Sequence, residues 1–202
     1  MFKPILSFYF NMKNLRISFG GDISVGKSSI VQRFTKNTFF EFNEPTIGAS
    51  FFCKTLNYNN EDYKIEIWDT AGQERYYSLS PMYFKKTDAV VLVYDITSYD
   101  SFQKLKYKWY PDLIKYINHH NIVILGNKID LNYNRKVNNE EVFDFVERNN
   151  LLFFEVSAKD NYKNIENCFI QIIKNSNFRK SFESNKIDVN NKDREYCSFS
   201  CC

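Results

Sequence analysis

Glycine is scarce in this chain, six of 202 residues, and proline scarcer still at four. That content excludes a collagen-like repeat and a Gly/Pro-rich low-complexity polymer. The two histidines, His119 and His120, lie far from every cysteine, and no CxxC pair exists, so a zinc site is not expected. The five cysteines are unevenly placed, with Cys197, Cys201 and Cys202 in the last six residues, Cys53 and Cys168 inside expected elements. An odd number so spaced argues against a disulfide framework and for a reducing compartment. No run approaches the ~20 apolar residues that span a bilayer. The opening "MFKPILSFYFN" is apolar, but short, broken by Pro4 and without a small-residue cleavage site; no glycine follows Met1, which excludes myristoylation. Charge of one sign is lacking too. The net is only +3, no basic stripe interleaves with aromatics, and nucleic acid is not an expected partner.

What is present is an apolar content of 44 % in a length suited to one sizeable α/β core. "LRISFG" (15–20) runs into a glycine loop and then "KSSIVQRFTK", a helix. "GASFFCKTLNY" and "YKIEIWDT", separated by Asn59-Asn60-Glu61-Asp62, read as an antiparallel hairpin. "AVVLVYDI", "NIVILGNK" and "LLFFEVSA" are near-continuous apolar runs, the mark of strands covered on both faces. Helices are expected at about 75–85, 100–118, 138–149 and 161–175; Pro111 must kink the second or restart it. The fold class is α/β: a mostly parallel six-stranded sheet with one antiparallel edge strand and about five helices. Residues 1–13 read as an extension, 14–175 as the folded domain and 176–202 as a flexible tail.

Three of the six glycines fall in "GGDISVGKSS", Gly20 to Ser29, between the first strand and the first helix. Gly21-Asp22-Ile23-Ser24-Val25-Gly26-Lys27-Ser28-Ser29 can wrap its N–H groups around a phosphate, with the helix dipole aimed at the same point. Lys27 reaches the outer phosphates and the Ser28 hydroxyl ligates Mg²⁺. Every other motif falls at a strand's carboxyl end, where open sheets bind ligands. Asp69 can hold Mg²⁺ through water, Gly72 can offer an N–H to a terminal phosphate, and Gln73 can orient an attacking water. Thr46, before the second strand, is a second candidate Mg²⁺ ligand. Asn127-Lys128-Ile129-Asp130 follows the fifth strand. The Asp130 carboxylate can take two hydrogen bonds from guanine, which adenine cannot offer, while the Lys128 stem lies over the ring. Ser157-Ala158-Lys159 can close the base pocket, with the Ala158 N–H toward the guanine oxygen.

These pieces, in this order, resemble the Ras-like small GTPases over about residues 14–175. "WDTAGQERY", "TIGASF" and the terminal Cys-Cys are similar to the Rab family, and "YYSLSPMYF" to its early-endosomal branch. The resemblance implies a three-layer P-loop fold, GTP and GDP as bound nucleotides, Mg²⁺, and GTP hydrolysis served by Gln73 and Lys27. It implies Phe39 against the guanine and an effector surface of Phe51, Trp68 and Tyr83. Residues 39–50 and 70–84 become switches ordered by the γ-phosphate. Implied partners are an exchange factor, a GTPase-activating protein, a GDP-dissociation inhibitor or escort protein, and GTP-dependent effectors of a monomer. Prenyl groups on Cys201 and Cys202 would hold it on the cytoplasmic face of endosomal membranes, with a cytosolic pool, in vesicle trafficking. Ile23 departs from the small residues usual there, which gives an alternative: a GTP-binding adaptor with negligible hydrolysis.

Overall fold

The computed structural model describes residues 12–85, 87–160 and 162–175. Residues 1–11 and the tail from 176, with Cys201 and Cys202, lie outside them. Six strands form one sheet: β1 Lys13–Gly20, β2 Ala49–Tyr58, β3 Glu61–Thr70, β4 Ala89–Asp95, β5 Ile122–Asn127 and β6 Leu152–Glu155. Their order is β2-β3-β1-β4-β5-β6, parallel throughout except for the β2–β3 pair.

The hairpin is tighter than its polar spacer suggests. Glu61 and Asp62 already pair with Tyr58 and Asn57, leaving a two-residue turn. Asn59 (φ 52°) and Asn60 (φ 60°) both take the left-handed conformation such a turn needs, which asparagine tolerates best after glycine.

Alternation along β4 builds both cores. Val91 and Val93 face helices α1 (Lys27–Lys36) and α6 (Tyr162–Lys174); Val90, Leu92 and Tyr94 face the other side. All seven β4 residues and all six of β5 are buried, as their unbroken apolar runs require. β6 corrects the third such expectation. It is four residues long, partly exposed throughout, because it forms the sheet's far edge with only β5 beside it.

The helix expected at 75–85 is a 3₁₀ segment, Glu74–Leu79, continuing into a short α2, Ser80–Phe84. The helix expected at 100–118 starts anew beside Pro111, which lies in the first turn of the new segment. There α3 (Tyr99–Lys104) widens into a π-turn, Leu105–Trp109, and resumes as α4 (Tyr110–Leu113). In the wide turn the Tyr110 N–H donates to the Leu105 carbonyl five residues back. Proline has no N–H, and in a regular turn its ring collides with the carbonyl four residues before it; a widened turn relieves both. Helix α5 (Asn139–Arg148) starts at Asn138, whose side chain accepts from the Glu140 N–H.

Candidate functional site

A cavity of about 490 Å³ opens at the carboxyl ends of the strands, within the range of small-ligand sites. One wall is the Gly21–Ser29 loop. Gly26 is left-handed (φ 92°), and a β-carbon there would overlap the Asn127 amide, so only glycine fits. Lys27 is buried and its ammonium donates to the Gly21 carbonyl at 2.9 Å and the Asp22 carbonyl at 2.7 Å. Burial pulls its pKa down to about 8 against the pull of Asp69 and Asp22. Ile23, Ser24, Ser28 and Ser29 line the cavity; Gly21, Asp22 and Val25 stand behind it. Val25 is in the core, and Asp22 pairs with Lys104 of α3 at 2.9 Å.

Three hydroxyl and carboxylate groups gather on the adjoining side. Ser28 Oγ donates to Asp69 Oδ2 at 2.6 Å, while Thr46 Oγ1 lies 2.9 Å from Ser28 Oγ and 3.4 Å from that carboxylate. Asp69 Oδ1 is buried with no hydrogen-bond partner. Burial is also the main reason the Asp69 pKa is raised. Hard cations take oxygen ligands, and an orphaned carboxylate oxygen beside two hydroxyls fits one, directly or through water. Among the described residues no cluster of three or more His, Cys, Asp or Glu offers a competing metal site.

The opposite wall is built from the ends of β5 and β6. Ser157 Oγ accepts the N–H groups of Lys159 (3.1 Å) and Asp160 (3.0 Å), so its single proton goes to Asp130 Oδ1 at 2.6 Å. That fixes the carboxylate's orientation from behind; Ser157 itself is buried and does not line the cavity. Asn127 ties three loops, donating to the Val25 carbonyl at 2.9 Å and accepting the Ala158 N–H at 3.3 Å. Lys128 is left-handed (φ 71°), its ammonium 2.6 Å from Asp95. Phe39 lines the same end, with the Arg33 guanidinium 5.9 Å from its ring centre. Lys159 closes the mouth toward Glu41 at 3.4 Å.

Gly72 and Gln73 complete the lining. A β-carbon on Gly72 would strike the Asp22–Ile23 peptide, so the chain around Gly72 lies directly on the Gly21–Ser29 loop. Gln73 Oε1 accepts from Arg75 Nε at 2.6 Å. The aromatic set also meets: Phe51 and Trp68 rings are 5.0 Å apart, Trp68 and Tyr83 5.5 Å.

Sequence reasoning missed Asp95, Lys104 and Arg33. Arg33 clamps the Ala158 and Lys159 carbonyls at 2.7 and 2.6 Å from 125 and 126 residues away. Only Asp95, at a strand's carboxyl end like the other motifs, carried any signal.

The Ras family model matches residues 16–178. Among curated relatives, Ras-related protein RHN1 of Nicotiana plumbaginifolia is 50 % identical over 165 residues, 81 % of this chain and 82 % of its own. Ras-related protein Rab5 of Nicotiana tabacum is 48 % identical over the same shares, and Ras-related protein Rab-5A of Dictyostelium discoideum 44 % identical over 76 % of each chain. With its six-stranded sheet, its glycine loop and these relatives, the chain belongs to the Ras family of GTPases and is most similar to Rab5-type members.

Proposed function

We propose that this chain is a Rab5-type switch that binds GTP and GDP with Mg²⁺, hydrolyses GTP and acts in endosomal vesicle traffic from a prenylated tail. The base-side geometry carries this reading: one carboxylate, Asp130, aimed by a hydroxyl whose other hydrogen bonds are filled. A carboxylate so held accepts two N–H groups from guanine, and it repels the acceptor edge that adenine presents. Lys128, Phe39 and Ala158 complete the lining of the base pocket.

Ser28, Thr46 and Asp69 would hold Mg²⁺. The ion supplies Lewis-acid stabilisation of charge on the phosphate oxygens. The chain's own contribution is positioning and electrostatics. Loop N–H groups and Lys27 hold the β- and γ-phosphates, the Gly72 N–H fixes the γ-phosphate, and Gln73 orients water in line with the breaking bond. In the structure Gln73 Oε1 is engaged by Arg75, so it must turn to meet that water. Phe51, Trp68 and Tyr83 form the effector surface across the hairpin and second switch, Phe51 exposed and the other two half-buried. Exchange factor, activating protein and GDP-dissociation inhibitor act on the same switches.

Competition between GTP and ATP for the purified, Mg²⁺-supplied chain tests the reading. We expect a preference for GTP of at least ~10³-fold; equal affinities would overturn it. A second reading, an adaptor that binds GTP and barely hydrolyses it, rests on Ile23, which is 48 % exposed on the cavity rim beside Gln73.

A further inference from the structure

The stretch after Gln73 meets the helical layer through Tyr77. Tyr77, four residues after Gln73, donates its hydroxyl to Asp112 Oδ2, with the Lys108 carbonyl a further acceptor at 3.4 Å. Its ring meets Trp109 edge-on at 5.0 Å, and the Lys108 ammonium sits 4.9 Å from the ring centre. Lys108 also pairs with Glu74 of the same switch at 3.1 Å. All three anchors come from the π-turn and the start of α4, the segment that departs from regular helix geometry.

Further along, Phe84 is buried in the second core and Ser18 Oγ donates to the Tyr83 carbonyl at 3.1 Å. Beneath the stretch a cavity of about 100 Å³ lies between Tyr77, Pro81 and Phe84 on the switch side and Trp109, Leu113 and Tyr116 on the helix side. Tyr77 is only partly buried against the core that holds Phe84, Trp109 and Leu113, so the polar and aromatic clamp adds to that packing. At the other end the segment rests on the phosphate loop through Gly72. Gln73 lies between the two fixed points, and its carbonyl accepts the Tyr76 N–H at 3.0 Å, joining it to the turn that Tyr77 anchors.

We propose that Tyr77, latched by Asp112, is a positioning residue for hydrolysis. By pinning the far end of the Gly72–Tyr77 stretch to the π-turn, it limits the places Gln73 can occupy over the cavity. The inference rests on the GTPase reading above. The latch acts through Gln73 and touches no reacting atom.

Tyr77→Phe keeps the ring and removes only the hydroxyl. In the full chain loaded with a non-hydrolysable GTP analogue, amide hydrogen exchange of a peptide spanning 72–77 should quicken about 3- to 10-fold. Single-turnover GTP hydrolysis should slow by a similar factor, with GTP and GDP affinities within about twofold of wild type and thermal midpoint of the GDP form unchanged. Asp112→Ala, which removes the acceptor, should reproduce both effects, and the double variant should be no worse than the more affected single one. Unchanged exchange in Tyr77→Phe overturns the latch, as do losses that multiply in the double variant. A slower rate with equally weakened nucleotide binding overturns the positioning role. Should the wild-type chain bind GTP without turning it over, the exchange measurement decides for the latch, and the hydrolysis reading alone fails.

Discussion

Ile23 shows how much one side chain at the cavity rim can matter. Its peptide is in contact with Gly72, and its side chain shares a wall with Gln73. On the GTPase reading, a branched side chain there would crowd the attacking water, a rotated Gln73 or an activator's arginine, and such an arginine contributes ~10³–10⁵ in rate. Ile23→Gly should therefore raise single-turnover GTP hydrolysis roughly tenfold, a modest part of what electrostatic positioning supplies. Measured with and without an activator, equal rates for the two proteins would retire the adaptor reading. The candidate site residues that the structure brings together share one property: each is marked by its immediate neighbours in sequence. Ser28, Asp69, Asn127 and Asp130 sit in short motifs whose spacing already implies a ligand. Arg33 and Lys104 were illegible because each works through a partner distant in sequence, Ala158 and Asp22, and nothing in an isolated helix marks either one.

At the scale of elements, the two long helices beside β1 depend on one aromatic stack. Phe34 of α1 and Phe169 of α6 lie face to face at 3.6 Å, both fully enclosed. Phe169→Ala should cost about 3–5 kcal/mol, the range for removing a buried phenyl ring. Urea unfolding reads it directly, and an unmoved midpoint would refute the stack's importance. Element type was legible where burial is complete on both faces or confined to one. β4 and β5 read plainly because both faces are covered, and α5 and α6 because each has one apolar face. β6 misled because apolar runs do not say which strand ends up at an edge. The π-turn was invisible for a different reason: Pro111 states that regular geometry must fail nearby, and only the packing of Leu105 and Trp109 into the second core decides how.

For the molecule as a whole, no helix among the described residues is long and apolar enough to cross a membrane. Attachment would rest on the tail. Between residues 174 and 196 it carries six basic and four acidic side chains, a net of +2, too weak for electrostatic holding alone. One lipid chain holds a protein only marginally, at ~0.8 kcal/mol per buried methylene, whereas two give lasting attachment. Cys202→Ser should leave much of the protein in the soluble fraction after cell fractionation; undiminished membrane retention would refute double lipidation.

The amide of Asn127 has a last consequence. Because it bridges the glycine loop to the strand ends that carry Asp130 and Ala158, the grips on the two ends of a nucleotide are parts of one rigid jaw. Departure of a bound nucleotide would then depend on the other side, residues 39–46 and 72–77, and a protein that hastened or hindered its escape would act there.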